Sequence, residues 1–280
     1  MGDSNGVASQ WVLRWYRRGA MTLFRDLPGV RVAYELQGDG PPVVLIHGWA
    51  CRRSDFAGVA ADLASDHRVM SIDLPWHGES TATRAGWTMD ALGALVDAVV
   101  ADEGMRGAAM VGHSMGAAVA IEAVLAGAGH RIIGLDGLTF MHMYPKQSPD
   151  RREATLAPYR DDFPAAVRGL CRRAAAPDTD PALTGEIADR MAEMDAVAGV
   201  RMLGELLDWD MDAALGRAEA VGLHITALAA DAMLAPDVMR AYGHRFEIIP
   251  VDLGGHFYLL ERPAETADLI RRALTPVSGT

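Results

Sequence analysis

The pentapeptide Gly-His-Ser-Met-Gly at 112–116 places a serine where an apolar run, 108–111, gives way to a helix-forming stretch of small residues, 117–126. A strand that turns sharply into a helix strains its turn residue, and glycines two positions away on each side leave room for that turn. Ser114 would then stand exposed near the positive end of the helix dipole, which favours a developing oxyanion. We therefore predict that Ser114 is a nucleophile; the alternative is a simple Gly-rich turn.

A serine hydroxyl needs a base and the base needs a carboxylate, and the chain offers candidates for both. His256 lies in Gly-Gly-His-Phe, 254–257, on a predicted loop before the last helix, and is the best of nine histidines for the base. Asp231 follows the predicted strand 224–229 in the chain order Ser, Asp, His, and we favour it as the acid. Asp136, at the end of the strand 132–135, is the alternative, with a structural hydrogen bond or helix cap as its other interpretation.

An acyl-transfer site also needs two donors for the oxyanion, and backbone amides can supply both. One is the amide after the nucleophile, that of Met115, and the other comes from a loop after an earlier strand. His-Gly-Trp at 47–49 follows the apolar run 43–46, so the amide of Trp49 fits that role. Losing one such donor costs on the order of 3 kcal/mol of transition-state stabilisation. His47 and the Trp49 side chain are otherwise packing residues.

The elements that must position these groups alternate along the chain. Short apolar or alternating runs predict strands, and stretches with apolar residues at three- and four-residue spacing predict helices. This order favours an α/β fold with a doubly wound, mostly parallel sheet, whose core is 21–138 and 221–280, preceded by an N-terminal tail, 1–20. The predicted strands are 21–25, 30–36, 43–46, 68–72, 108–111, 132–135, 224–229 and 246–251, and the predicted helices are 56–64, 89–100, 115–126, 236–242 and 264–274.

The stretch 139–220 interrupts the alternation, because it has helical segments such as 164–173 and 185–208 and no convincing buried strand. A helical insertion of this length is typical of a lid over the strand ends. Its Met and aromatic side chains would form an adaptable apolar wall for the substrate, or simply attach the lid to the core. The candidate wall residues are Met141, Met143, Tyr144, Leu203, Leu206 and Trp209, with His142 at the mouth of the lid as a further substrate contact.

Two arginines follow the loop that begins at 47–49, which is predicted to supply one oxyanion donor and which we call the oxyanion loop. Arg52 and Arg53 could hold a substrate carboxylate through bidentate hydrogen bonds, although such a pair is more often solvated.

Composition narrows the class of protein further. The chain has 280 residues, 50% of them hydrophobic, and a formal charge of −11, which argues against a disordered chain and against a nucleic-acid partner. No window reaches the ~18 apolar residues of a membrane span. Two cysteines far apart make no disulfide framework, so we expect a cytoplasmic protein. We expect it to be a monomer or a homodimer. Without metal-ligand spacing or a dinucleotide fingerprint, we expect no metal and no cofactor.

Taken together, these motifs resemble the α/β-hydrolase superfamily, in its lid-bearing esterase, enol-lactone hydrolase and ring-cleavage hydrolase branch, from residue 21 to 274. Asp-Leu-Pro-Trp-His-Gly-Glu-Ser at 73–80 is similar to a family turn, with Trp76 where the family has glycine, and 256–263 is similar to its C-terminal signature. Leu-Ala-Ala-Asp at 228–231 stands where the family commonly has Gly-x-x-Asp. Serine at 114 argues against the haloalkane dehalogenase and epoxide hydrolase branches.

The resemblance implies an inserted helical lid and a serine hydrolase that cleaves an ester, lactone or thioester of a small to medium apolar substrate through an acyl-enzyme on Ser114. Three other functions stay open. Two keep the same residues: hydrolytic cleavage of a C–C bond in a dicarbonyl, and cofactor-free oxygen chemistry. The third is a ligand-binding pseudo-enzyme in which Ser114 and His256 line a pocket without efficient turnover.

Overall fold

A computed structural model describes residues 21–83, 86–141, 148–230 and 244–275. Their central feature is a single sheet in the order β1-β2-β4-β3-β6-β7-β8-β9, with β5 paired to β2. The strands are β1 (Leu23–Leu27), β2 (Val30–Gln37), β3 (Pro42–Ile46), β4 (Arg68–Ile72), β5 (Thr81–Ala82), β6 (Ala108–His113), β7 (Gly129–Leu135), β8 (His224–Ala230) and β9 (Glu247–Val251).

The sheet is antiparallel at one edge and parallel through the rest. β1 and β2 form an antiparallel hairpin, and β2 also runs antiparallel to β4. From β4 onward all neighbouring strands are parallel, so their carboxyl ends meet at one rim. This confirms the predicted doubly wound, mostly parallel sheet. The apolar runs of β3 and β6 are buried on both faces, as a strand covered by helices on both sides must be.

Helices cover both faces of the sheet and create two buried apolar clusters. Every residue of the helix after Ser114 from 115 to 124 is buried, and the small size of most of them lets the helix lie close to the sheet and to its neighbour helix. The helices outside the inserted stretch are α1 (Ala57–Leu63), which follows a 3₁₀ turn (Arg53–Phe56), α2 (Met89–Asp102), α3 (Met115–Ala126), α4 (Leu138–Met141), α10 (Tyr258–Glu261) and α11 (Pro263–Leu274).

After α4 and before β8 the described residues form five further helices, which we call the five-helix segment. Each of the five begins at a Ser or Asp whose side chain accepts a backbone N–H, the usual cap of a helix start. The helices are α5 (Pro149–Asp161), α6 (Phe163–Ala174), α7 (Pro181–Ala192), α8 (Ala196–Asp208) and α9 (Met211–Ala220).

One predicted helical stretch divides in two. The stretch 185–208 is interrupted because α7 ends at Ala192 and Asp195 caps a new helix through the amide of Ala198, at 2.8 Å. The predicted helix 236–242 and the predicted tail 1–20 lie outside the described residues. Within the described ranges, no helix has both the length and the apolar character needed to cross a membrane.

Candidate active site

Ser114 occupies a strained turn between β6 and α3. Its backbone lies at φ 52° and ψ −121°, a conformation that costs a non-glycine residue energy and is found where structure over-determines it. Its amide donates to Leu135 at 3.0 Å, which fixes the turn to the next strand. A Cβ at Gly112 would clash with the backbone of Gly116, and a Cβ at Gly116 would clash with the backbone of Ile46, so the turn requires glycine at both positions.

The carboxylate that the described residues bring to His256 is that of Asp136. His256 Nδ1 lies 2.5 Å from Asp136 Oδ2, and both side chains are buried. A carboxylate only accepts, so Nδ1 carries the proton and donates it to Asp136, and Nε2 takes no part in that bond. Asp231, which the sequence favoured, lies outside the described residues. Asp136, the alternative from sequence, is the carboxylate described in contact with His256.

Backbone geometry at the end of β7 directs Asp136 toward β8 and His256. Asp136 has φ 46°, a left-handed conformation that Asp tolerates better than most residues. Its amide donates to Leu228 at 2.8 Å, and its Oδ1 accepts the amide of Ala230 at 3.2 Å. The carboxylate is therefore held between two strand ends. An Asp-Gly pair directly after an apolar run, 136–137, is the sequence signal for such a turn.

The loop after β3 is held by two buried histidines. His47 Nε2 accepts the amide of Leu74 at 3.0 Å, and His77 Nε2 accepts the amide of Ala50 at 3.1 Å. Burial lowers the pKa of His47 to about 4 and that of His77 to about 3, so both rings are neutral near pH 7 and can accept. Trp49 lies between these anchors. Sequence analysis treated His47 as a packing residue and gave no role to His77.

The two arginines after the oxyanion loop have different partners. Arg53 is buried and paired with Asp73, Glu35 and Glu79, and its amide donates to Asp73 at 2.6 Å. Arg52 donates instead to the five-helix segment, to Glu193 at 3.0 Å and to the carbonyl of Arg190 at 3.3 Å. The structure thus directs both guanidinium groups into protein contacts, and neither lines the cavity beside Ser114.

Ser114 and His256 line the same cavity, of about 60 Å³. By the same measure one water needs roughly 10–15 Å³, so the space admits a small group. Its remaining walls are largely apolar and come mainly from the five-helix segment. They include the predicted Leu203 and Leu206, and also Tyr159, Leu170, Met191 and Leu207, which sequence analysis missed because their apolar spacing resembles that of any packed helix.

Cys51 and Trp49 complete the cavity on the side of the oxyanion loop. Burial raises the pKa of the Cys51 thiol, which keeps it protonated and removes it as a rival nucleophile. The Trp49 indole donates to the carbonyl of Gly199 in α8 at 2.8 Å and meets the ring of Tyr159 edge to face, with centroids 5.2 Å apart. The Trp49 side chain therefore joins the oxyanion loop to the five-helix segment.

Trp209 lies away from the described lining of this cavity. Its indole donates to Glu122 of α3 at 2.9 Å, and the same carboxylate accepts from Arg217 at 2.6 Å. Its role in the structure is thus to attach the five-helix segment to α3, the second of the two interpretations given for the wall residues. His142, Met143 and Tyr144 lie outside the described residues, and the side chain of Met141 is not described.

Comparison with known proteins agrees with this architecture. A profile of the alpha/beta hydrolase family matches residues 43–269. The chain belongs to this family of hydrolases.

One curated relative and two solved structures illustrate the similarity. Pimeloyl-[acyl-carrier protein] methyl ester esterase of Methylococcus capsulatus is 35% identical over 145 residues, which is 50% of this chain and about half, 53%, of that protein. Two solved structures share the fold. An esterase of Exiguobacterium antarcticum has a TM-score of 0.78 at 16% identity, covering 91% of this chain and 100% of its own. The enol-lactonase of Burkholderia xenovorans LB400 has 0.75 at 17%, covering 90% and 99%.

Proposed function

We propose that the chain is a serine esterase that hydrolyses small apolar carboxylic esters, lactones or thioesters through an acyl-enzyme. Ser114 Oγ attacks the carbonyl carbon while His256 takes its proton, and His256 then returns that proton to the leaving group. Water then attacks the acyl-enzyme: His256 takes a proton from the water and gives it to Ser114 Oγ as the acid product leaves. The amides of Met115 and Trp49 hold the oxyanion in both tetrahedral intermediates.

The observation that carries this proposal is the 2.5 Å contact between His256 and Asp136 beside the strained turn of Ser114. A carboxylate on Nδ1 fixes the imidazole tautomer and stabilises the imidazolium that forms when the serine is deprotonated. We assign Asp136 as the acid in place of Asp231. Both satisfy the chain order Ser, Asp, His, so the contact with His256 is the reason for the choice.

The apolar wall of the cavity supports the substrate class. No Lys, Arg, Asp or Glu is among its described lining, so an acyl group with a charge near the ester carbon would lose solvation without a partner. The names of the relatives, a methyl ester esterase and an enol-lactonase, agree with ester chemistry. We assign 139–220 as a lid, because its described helices form most of that wall.

Turnover of p-nitrophenyl acetate and butyrate tests the function. Ser114→Ala should reduce kcat to near the uncatalysed rate, and a fluorophosphonate should add one adduct at Ser114 in the wild type only. Ser65→Ala, which removes an exposed serine at the end of α1, is the matched control and should leave kcat unchanged. With p-nitrophenyl octanoate, kcat/KM should be lower than with butyrate because the cavity is small.

Two outcomes contradict the proposal. Activity that survives Ser114→Ala rules out Ser114 as the nucleophile. A single burst of nitrophenol without further turnover indicates a binding protein rather than an enzyme.

A further inference from the structure

His113, the residue before the nucleophile, contacts the residue proposed as the base. Its side chain is buried, with 2% of the residue exposed. Its Nε2 lies 2.9 Å from the backbone carbonyl oxygen of His256, and the two imidazole rings have centroids 4.7 Å apart at 44°. The side chain thus extends from the nucleophile's turn to the loop of the base.

The bond defines the tautomer of His113. A carbonyl oxygen only accepts, so Nε2 must carry the hydrogen and donate it. Burial, with the nearby His256, lowers the pKa of His113 well below its ordinary value, so the ring is neutral and Nδ1 has no hydrogen. That nitrogen faces the oxyanion loop, where a Cβ built on Gly48 would lie 3.1 Å from it. The neutral ring of His113 therefore extends from the turn of Ser114, bonds to the loop of His256 and lies beside Gly48 in the loop after β3.

The backbone of His256 needs such an anchor. Gly254 and Gly255 precede it, and a diglycine restricts the chain less than any other pair. Two bonds to the main chain of residue 256 compensate. Its amide donates to the carbonyl of Ala174, at the end of α6, at 2.7 Å, and its carbonyl accepts from His113. With the Asp136 bond to Nδ1, these contacts fix both the backbone and the ring of His256.

We propose that His113 is a positioning residue for the base, holding the His256 backbone through its Nε2–H so that the imidazole keeps both its bond to Asp136 and its direction toward Ser114. This inference rests on the proposed function and adds a residue to it. His113 moves no proton in the reaction; it acts through His256.

Two substitutions of almost equal length separate the donor from the bulk of the side chain. His113→Gln keeps an N–H at a reach similar to Nε2, whereas His113→Met fills similar space without a donor. We expect His113→Met to lower kcat for p-nitrophenyl butyrate about 10- to 100-fold, the cost of a misplaced catalytic group, while KM changes less. His113→Gln should recover most of kcat. If His113→Met does not fold, His113→Asn replaces it, because its amide is one carbon too short to reach residue 256.

A proton NMR spectrum gives a readout that is independent of turnover. The short bond between His256 Nδ1–H and Asp136 should give a far-downfield resonance, assigned by its loss in Asp136→Asn. That resonance should shift or broaden in His113→Met and return in His113→Gln.

Equal kcat values in the Met and Gln variants, or a resonance that is the same in both, would overturn the positioning role. Failure of the proposed function has another signature: turnover is absent, or persists in Ser114→Ala, whatever residue 113 is.

Discussion

The loops at the strand ends and the five-helix segment are held together in different ways. The loops have buried, neutral hydrogen bonds, as from Leu74 to His47, and residues forced to positive φ, such as Ser114 and Asp136. The five-helix segment has charged pairs at its surface, such as Arg152 with Asp208 at 2.8 Å and Arg168 with Asp189 at 2.9 Å. Buried bonds are directional and costly to break, whereas exposed pairs contribute ~1 kcal/mol or less. The loops are thus held by directional buried bonds, whereas the surface ion pairs of the five-helix segment can be lost at little cost.

The two regions meet at a few contacts, and two of these end on proposed site residues. Trp49 donates to Gly199 of α8, and the amide of His256 donates to Ala174 of α6. The five-helix segment that lines the cavity therefore also supports the loop after β3 and the backbone of His256, the proposed base. A change in the helices that moves one of these two carbonyls should therefore affect the rate as well as substrate preference.

Among the variants that compare the two regions, the largest expected effect is on the rate when the proposed acid is removed from the loops. Asp136→Asn should lower kcat about 1,000- to 10,000-fold, because an amide no longer stabilises the imidazolium. Asp231→Asn is the comparison variant and should retain most of the rate. Steady-state kinetics with p-nitrophenyl butyrate gives both values. A large loss in the Asp231 variant alone would restore the original assignment from sequence.

The next effect is on stability, at the two neighbouring arginines. Arg53→Met should lower the free energy of unfolding by about 3–5 kcal/mol, since it leaves the buried Asp73 carboxylate without its ion pair. Arg52→Met should cost about 1 kcal/mol or less, because its partner Glu193 is 69% exposed. Urea unfolding of both variants measures the difference. Equal losses would mean that the loops and the helices are held alike.

The buried histidines give the loops a dependence on pH. In the unfolded chain a histidine binds a proton below pH ~6.5, but in the folded protein the pKa of His47 is about 4 and that of His77 about 3. Stability is therefore complete above pH ~6.5 and falls as the pH drops toward 4, by about 1.4 kcal/mol per pH unit for each histidine. Urea unfolding between pH 7 and 5 measures the slope, and His47→Gln should make it shallower. An unchanged slope would show that His47 is not held neutral.

The smallest expected effect is at a helix cap in the five-helix segment. Asp195→Ala should lower the free energy of unfolding by about 1 kcal/mol, because the amide of Ala198 loses its acceptor at the start of α8. Asp189→Ala, which removes an exposed ion pair between α7 and Arg168 of α6, should cost less than about 0.5 kcal/mol. Thermal unfolding compares them. If Asp195→Ala also lowered kcat, α8 would hold the loop that carries Trp49 more firmly than we infer.

Sequence patterns predicted the parallel strands closely, because a strand buried on both faces must be apolar throughout, as 43–46 and 108–111 are. They were weaker inside 139–220, where 185–208 was treated as one helical stretch although Asp195 is a sound N-cap. They also left a substrate contact open for Arg52 and Trp209, whereas the structure pairs these with Glu193 and Glu122. Long polar and aromatic side chains suit either role, and only their neighbours distinguish the two.

The sequence by itself determined the alternation of strands and helices, the turn that presents Ser114 and the loop that carries His256, because each depends on residues close together in the chain. The tertiary structure brought Asp136 to His256, buried Arg53 and set which helix residues line the cavity with Ser114. Such contacts join residues far apart in the chain, 120 positions for Asp136 and His256. Their distances follow from how strand ends and helices pack, and local spacing along the chain carries no record of that packing.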